Sequence, residues 1–393
     1  MKQRILVAIM FFLCILGCTS NKNLNTPKII GTEKNDNLFV IDLDKEEEQL
    51  INYSSIFSSV KTIILETSQE SLIGNNFKFS VFDKQLYVLN LSNPKDFLLF
   101  DDQGKFIKKI GRLGNGPGEY TRVFDFTIDP DNRFIYLLCD WVINKYSTDG
   151  TFIEYINLGR HVPYIQYAEG KLYIDSQGKN YLLEEMDCET GEIRYCLESS
   201  LYAKGWKETG WRVQGSPFRN TSAKSAKYAH MFMDTLVSLG PNGIVPFLVI
   251  KSKYLIDQED LQKVAKMEPR NRGLEMMQTI HKNFCIHNYF EVNNKICFTY
   301  RERHGITSIL LDTLSNSFQK VFMCNDLVFD KSVETAVGSY YSDSDGVYEM
   351  YSSYERFEKL RKEGKLAPDL DKREQLMALP EHANPVLFFY PND

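Results

Sequence analysis

Little in this 393-residue chain marks a site for chemistry. Its six histidines, His161, His230, His281, His287, His304 and His382, form neither HxH nor HExxH, so their spacing offers no zinc centre. There is no G-x-S-x-G elbow and no pairing of cysteine with histidine to nominate. Cysteine is sparse and never spaced CxxC, which argues against zinc ribbons and thioredoxin-like exchange. Basic residues are in deficit, 46 Lys and Arg against 52 Asp and Glu, for a formal charge of −6. That balance disfavours nucleic acid, whose phosphates must be neutralised by cations. No metal site and no cofactor are expected from these patterns. Beyond the N-terminus there is no apolar run approaching the roughly 20 residues that a membrane span needs.

What is present begins at the N-terminus. Lys2 and Arg4 precede an unbroken apolar run, Ile5 to Leu16, too short to span and suited to the core of a secretory leader. It ends at Ile15, Leu16, Gly17 and Cys18, which resembles a bacterial lipobox. The resemblance implies that residues 1–17 are a signal peptide, that Cys18 takes the lipid, and that residues 18–37 are a polar tether. A plain signal peptide with a chance cysteine is the alternative. More than one acyl chain anchors stably, at ~0.8 kcal/mol per buried methylene. The tether lacks an acidic run after the cysteine, which favours the periplasmic face over the cell surface.

Beyond Cys18 the cysteines are Cys139, Cys188, Cys196, Cys285, Cys297 and Cys324. An oxidising compartment permits disulfides. Cys139, Cys285, Cys297 and Cys324 lie in apolar strand-like runs, as buried free thiols do. Cys188 and Cys196 flank one turn, where a bridge or two free thiols would both fit.

Aromatics make up 13 % of the chain, with 22 Tyr and 26 Phe, and favour half-buried pleated surfaces. A phrase recurs: a short apolar strand, a second strand, an Asp/Gly turn, a third strand. "KQLYVLNL" leads to "DFLLFDDQGKFIKKIG", "NRFIYLLCD" to "VINKYSTDGTFIEYINLG", and "GKLYIDS" to "YLLEEMDCETGEIRYCLE". The turn glycines Gly104, Gly150 and Gly191 supply the positive φ such hairpins need. A period of about 40 residues with several strands per unit is the signature of a propeller blade. Each blade buries its faces only against its neighbours.

The stretch "IGRLGNGPGEY" (110–120) raises the question of a phosphate loop. A P-loop needs Lys after the last glycine and a helix beyond it. Here "VFDFTID" follows, a strand. The stretch therefore reads as the crossover from the outer strand of one blade to the inner strand of the next, turning tightly near the axis. The residues from Ile110 to Ile153 resemble an NHL-type propeller repeat, although Val123 stands where such repeats usually carry proline. The chain as a whole is more similar to six-bladed propeller lipoproteins of Gram-negative gut anaerobes. Leu65-Glu66-Thr67 near the start carries that likeness, together with Asn384-Pro385-Val386-Leu387 and its aromatics near the end. The resemblance implies an all-β, six-bladed β-propeller of antiparallel four-stranded blades over residues 38–393.

The final strand, 385–390, should close the ring by joining a blade begun by "LFVIDL" (38–43) or "VKTIILE" (60–66). Two segments, 257–284 and 353–381, break the rhythm with helical spacing, at Leu261, Val264 and Ala265 and at Phe357 and Leu360. Pro269 should interrupt the first. They read as helical insertions packed on a rim, or as a lid. "YSDSDGVY" (341–348) has Asp343 and Asp345 before Gly346 but lacks the later glutamate of a calcium loop, so a hairpin turn is expected.

The best ligand candidate is the irregular stretch 199–225, with Trp206, Trp211, Arg212 and Arg219. Aromatic faces beside guanidinium groups suit glycans, peptides or other flat ligands. Rim packing of the tryptophans is the plain alternative. Three readings of function stand: a membrane-anchored binding or scaffold lipoprotein for a glycan, peptide or partner protein; a metal-assisted hydrolase or lyase, lactonase-like; or a structural subunit of an envelope complex. Propellers host unrelated functions, so the fold alone does not choose.

Overall fold

The computed structural model describes residues 38–392, apart from 45–47, 177–180, 199–214, 223–224, 231–232, 241–242, 254, 256–257, 273–285, 303–304, 331–337 and 352–353. The leader, the tether and Cys18 lie outside this set, as do Trp206, Trp211, Arg212 and Cys285.

Three strands precede the first blade: β1 (Phe39–Asp42), β2 (Glu48–Asn52) and β3 (Lys61–Ile64). The first blade is β4 (Phe77–Phe82), β5 (Gln85–Asn90), β6 (Asp96–Phe100) and β7 (Phe106–Lys109). Two very short strands follow, β8 (Arg112–Leu113) and β9 (Glu119–Tyr120). The second blade is β10 (Val123–Asp129), β11 (Phe134–Cys139), β12 (Val142–Ser147) and β13 (Phe152–Asn157). The third is β14 (Ile165–Ala168), β15 (Lys171–Asp175), β16 (Tyr181–Asp187) and β17 (Ile193–Glu198). The fourth is β18 (Phe218–Ser222), β19 (Ser225–Tyr228), β20 (Thr235–Gly240) and β21 (Gly243–Lys251). The fifth is β22 (Ile286–Val292), β23 (Lys295–Glu302), β24 (Gly305–Asp312) and β25 (Ser317–Cys324). The sixth is β26 (Ser339–Ser342), β27 (Gly346–Met350), β28 (Val386–Pro391) and, as its outer strand, β3. Successive strands within the first five blades are antiparallel hairpin neighbours, the sixth pairs β27 with β28 across the second insertion and β28 with β3, also antiparallel, and the whole is a six-bladed β-propeller.

The alternation of strand side chains explains why the second strand of a blade reads as almost continuously apolar. In β5, Tyr87 and Leu89 face the second blade and pack with Val123, Phe126 and Leu137. Leu86 and Val88, from the same strand, face the sixth blade and pack with Tyr341, Tyr348 and Leu387. In β11, Leu137 looks back to the first blade while Tyr136 and Leu138 look forward to Ile165 and Leu172 of the third. Both faces are thus cores, and each fully buried Leu, Ile or Val side chain contributes ~1.5–3 kcal/mol.

The turn glycines behave as expected: Gly104 and Gly150 both have φ +84° and Gly191 has φ +71°. Asp101 braces the first of these turns by accepting from Gln103 N–H (2.9 Å) and Lys105 N–H (2.8 Å). The glycine-rich stretch after β7 is indeed a blade-to-blade crossover, with no helix at Gly118. Its place differs from the expectation. Gly118 (φ +71°) lies against Phe152 of β13, where a Cβ would come within 2.8 Å, and its carbonyl accepts from the Tyr146 hydroxyl at 2.9 Å. It therefore turns beside the outer strands of the second blade and not beside the axis. The reason is positional: β7 ends at the outside of its blade, and the tight contact comes where the chain first meets the next one.

The ring closes where the later of the two candidate segments predicts. β28 pairs antiparallel with β3, Val386 opposite Ile64 and Phe389 opposite Lys61. "LFVIDL" does something else: β1 adds in parallel to β21, and β2 adds in parallel to β25. The fourth and fifth blades thereby become five-stranded, a departure from uniform four-stranded blades. The N-terminal segment is a strap across the fourth, fifth and sixth blades, and it covers edge strands that would otherwise offer unpaired backbone groups.

Both insertions contain helix. α1 (Gln258–Ala265) buries Leu261 and Val264 with Leu182, Phe218 and Tyr228. It ends before Pro269, and residues 269–272 are helical again, with proline at the first position, where its missing N–H costs nothing. α2 (Tyr354–Lys362) places Phe357 against Tyr351 and Phe388, with ring centroids 5.6 and 5.9 Å apart. α3 (Arg373–Met377) buries Leu376 in the same cluster. The described parts of both insertions are therefore packed against blades. Among the described residues no helix is long and apolar enough to cross a membrane. Cys139, Cys297 and Cys324 are buried free thiols, and Cys188 and Cys196 are free as well.

Candidate functional site

The inner strands β4, β10, β14, β18, β22 and β26 surround a cavity of about 620 Å³. Each supplies part of the wall, for example Lys78, Asp125, Gln166, Arg219, Tyr289 and Tyr341. This is the axial pocket of the ring. Its size is within the range of small-molecule sites, which are concave and carry a few placed polar groups.

An ion pair organises one side. Lys78 Nζ of β4 donates to Asp125 Oδ1 of β10 at 2.5 Å and to the Phe126 carbonyl at 2.8 Å. Asp125 is buried and also accepts from Phe126 N–H (2.9 Å) and, across to β14, from Ile165 N–H (3.0 Å). One carboxylate thus ties three inner strands. Burial pushes its pKa up, and the Lys78 ammonium pulls it back. Below it, Thr127 Oγ1 accepts from Tyr167 N–H (3.0 Å) and from Gln166 Nε2 (3.1 Å). Side chains of β10 therefore satisfy main-chain donors on the open edge of β14.

The register of β10 shifts between Val123 and Asp125, which leaves Phe124 outside the regular pairing with β11. Such bulges re-aim side chains. Phe124 is half-buried in the cavity wall, with Lys95 Nζ 5.4 Å above its ring and the His161 imidazole edge-on at 4.7 Å. Gln166 is 5 % exposed, and its Oε1 is buried without a hydrogen-bond partner. Among the described residues of the wall nothing forms a nucleophile–base pair, and among the described residues no group of three His, Cys, Asp or Glu could hold a metal ion.

Of the four sequence candidates, only Arg219 is described. It lines the cavity from β18 and donates to the carbonyls of Ser216 and Phe218, the latter at 2.8 Å. Gly215 to Phe218, within the irregular stretch, line the cavity beside it. Lys78, Lys95, Phe124, Asp125, His161 and Gln166 were not singled out from the sequence. Asp125 carried a usable signal, a carboxylate inside the apolar run "VFDFTID". "YSDSDGVY" is a hairpin turn in which Asp343 Oδ1 accepts from Asp345 N–H (2.9 Å) and Gly346 N–H (3.2 Å).

A second buried polar cluster lies where the fifth and sixth blades and the strap meet. Glu349 of β27 is fully buried and accepts from the hydroxyls of Tyr340 and Tyr390, each at 2.8 Å, and from Asn325 Nδ2 at 3.1 Å. Tyr53, from the strap, bonds Tyr340 through the hydroxyls at 2.6 Å. Burial raises the Glu349 pKa to about 7, with the tyrosine hydroxyls drawing it back. The cluster is enclosed by core and serves closure.

Among solved structures, the chain is similar to a Bacteroides fragilis protein named as exported, with TM-score 0.66 and 16 % identity over 90 % of this chain and 98 % of that one. That likeness bears on fold. Weaker likenesses are to virginiamycin B lyase from Staphylococcus aureus (TM-score 0.39, 10 % identity, 84 % and 99 % covered) and BamB from Moraxella catarrhalis (0.39, 9 %, 74 % and 69 %). Neither is close enough to carry function. No curated protein matches the chain. Residues 38–391 match one family over the whole ring, and the chain belongs to it: the family described as Domain of unknown function (DUF4934).

Proposed function

We propose that this is an envelope lipoprotein that binds a small organic ligand in its axial cavity and performs no chemistry on it. The observation that carries the reading is the cavity itself: six inner strands converge on it, with a braced ion pair, half-buried rings and an unused buried acceptor in its wall. The absence of a nucleophile–base pair in the described wall sets the metal-assisted hydrolase or lyase behind it. Arg219, the described member of the sequence candidates, lines this cavity, and Trp206, Trp211 and Arg212 remain ligand candidates on the sequence reading of 199–225. Residues 1–17 are the leader, Cys18 carries the lipid, residues 18–37 are the tether, and the ring faces the periplasm. A structural subunit of an envelope complex is the remaining alternative.

The test is an array of glycans and peptides probed with the full chain and with Phe124→Ala. Binding lost in the variant supports the cavity as the site. Binding that survives in Phe124→Ala, or the absence of any binder, rejects it. For the anchor, metabolic palmitate should label the wild type and not Cys18→Ala.

A further inference from the structure

We propose that the axial cavity selects an acidic carbohydrate, a short uronic-acid-bearing oligosaccharide, with its carboxylate at Lys95 and His161 and its ring against Phe124. This rests on the axial cavity being the ligand site and adds the chemistry of the occupant.

The first observation is charge. Asp125 is the one carboxylate among the described residues of the cavity wall, and Lys78 occupies it at 2.5 Å. Lys95, whose Nζ also donates to the Val123 carbonyl at 3.4 Å, and His161 flank Phe124, and neither has a carboxylate partner within ion-pair distance among the described residues. The described wall is therefore cationic in a chain whose formal charge is −6. A ligand carboxylate is the complement that wall lacks.

The second observation is the orphan acceptor. The Gln166 amide nitrogen is committed to Thr127 Oγ1 and to the Tyr167 carbonyl at 3.0 Å, which fixes the orientation of the amide. Its Oε1 is buried without a partner. A buried acceptor left unmade is costly, so a ligand hydroxyl that donates to it is favoured. Sugars carry such hydroxyls in number.

The third observation separates a sugar from an acidic peptide. A peptide would gain affinity by pairing as a strand with an open inner edge. The Ile165 and Tyr167 N–H groups on the β14 edge are already taken by Asp125 and Thr127. What is left there is the ring face of Phe124 and side-chain polar groups, which suit the C–H face and hydroxyls of a pyranose.

The experiment is calorimetric titration of the full chain with digalacturonate, its methyl ester and triglutamate, at low and high salt. Digalacturonate should bind, weaken as salt rises, and lose roughly tenfold in affinity on esterification, as removing one charge contact does. Lys95→Met should weaken digalacturonate by about the same factor and leave the ester unchanged. Phe124→Ala should weaken both, with Phe124→Leu as a second variant that keeps the burial and removes the ring. Equal binding of acid and ester, both sensitive to Phe124, would overturn the acidic ligand while sparing the cavity. Tighter binding of triglutamate would overturn the sugar. Binding of no probe, or binding indifferent to Phe124, would overturn both readings.

Discussion

Asn384, just before the last strand, reaches Glu66 and Thr67, which follow β3, the outer strand of the same blade. Its Nδ2 donates to the Glu66 carbonyl (2.8 Å) and the Ser71 carbonyl (2.7 Å), its Oδ1 accepts from Ile73 N–H (2.8 Å), and its own N–H donates to Thr67 Oγ1 (2.8 Å). The side chain is buried. The two terminal motifs are thus halves of one clasp. Asn384→Ala leaves three main-chain groups without that partner, and the expected cost is about 3 kcal/mol, at ~1 kcal/mol per net hydrogen bond. Deleting 384–393 removes the ladder with β3 as well and should lower the melting temperature sharply. An unchanged melt in either variant would reject the clasp.

Glu349 should make stability depend on pH. Its folded pKa is raised to about 7 from an ordinary 4.5 by burial. The native state therefore holds the proton more tightly than the unfolded chain. The contribution is fully present below about 4.5 and is lost as pH rises through about 7. At ~1.4 kcal/mol per unit the loss amounts to a few kcal/mol. Glu349→Gln should flatten the denaturation midpoint across that window. A wild type whose midpoint holds level between pH 5 and 8 would contradict this.

Lys78→Met should destabilise through the carboxylate it abandons. Asp125 would keep two main-chain donors but lose its cation. Breaking a buried pair costs ~3–5 kcal/mol. Lys78 is 22 % exposed, so roughly 2–3 kcal/mol is expected here. A double-mutant cycle with Asp125→Asn should recover part of the loss, and strict additivity would mean that the pair is not coupled.

Gly118 and Gly191 share φ +71° but not their surroundings. Nothing lies within 4 Å of a Cβ built on Gly191, so Gly191→Ala should cost only the backbone term of ~1–2 kcal/mol. At Gly118 the added methyl also strikes Phe152, and Gly118→Ala should be clearly the worse of the two in urea denaturation.

The architecture was legible where the code is local. Turn glycines, alternating strands and near-continuous apolar second strands each follow from contacts within a hairpin or with the adjacent blade. The terminal motifs were legible by resemblance, and the contact between them explains why both are distinctive. The strap was not. Strands β1 and β2 add in parallel to partners far along the chain, and no turn residue or periodicity announces such a pairing. The cavity was half hidden for a similar reason. Lys78 and Asp125 each read as an ordinary polar residue in its own strand, and only the packing of the second blade beside the first sets them together. Of the candidates in 199–225 only Arg219 is described, and it lines the cavity, while the bulge at Phe124 left no mark in spacing.

The strap has a consequence for the order of events during synthesis. β1, β2 and β3 leave the ribosome first, yet their partners β21, β25 and β28 belong to the fourth, fifth and sixth blades. The earliest strands made are thus among the last to be matched, and contacts so distant in sequence form slowly. Until the fourth and fifth blades arrive, apolar side chains such as Ile41 and Leu43 have no core to enter, and a chain halted before then is left with these side chains exposed.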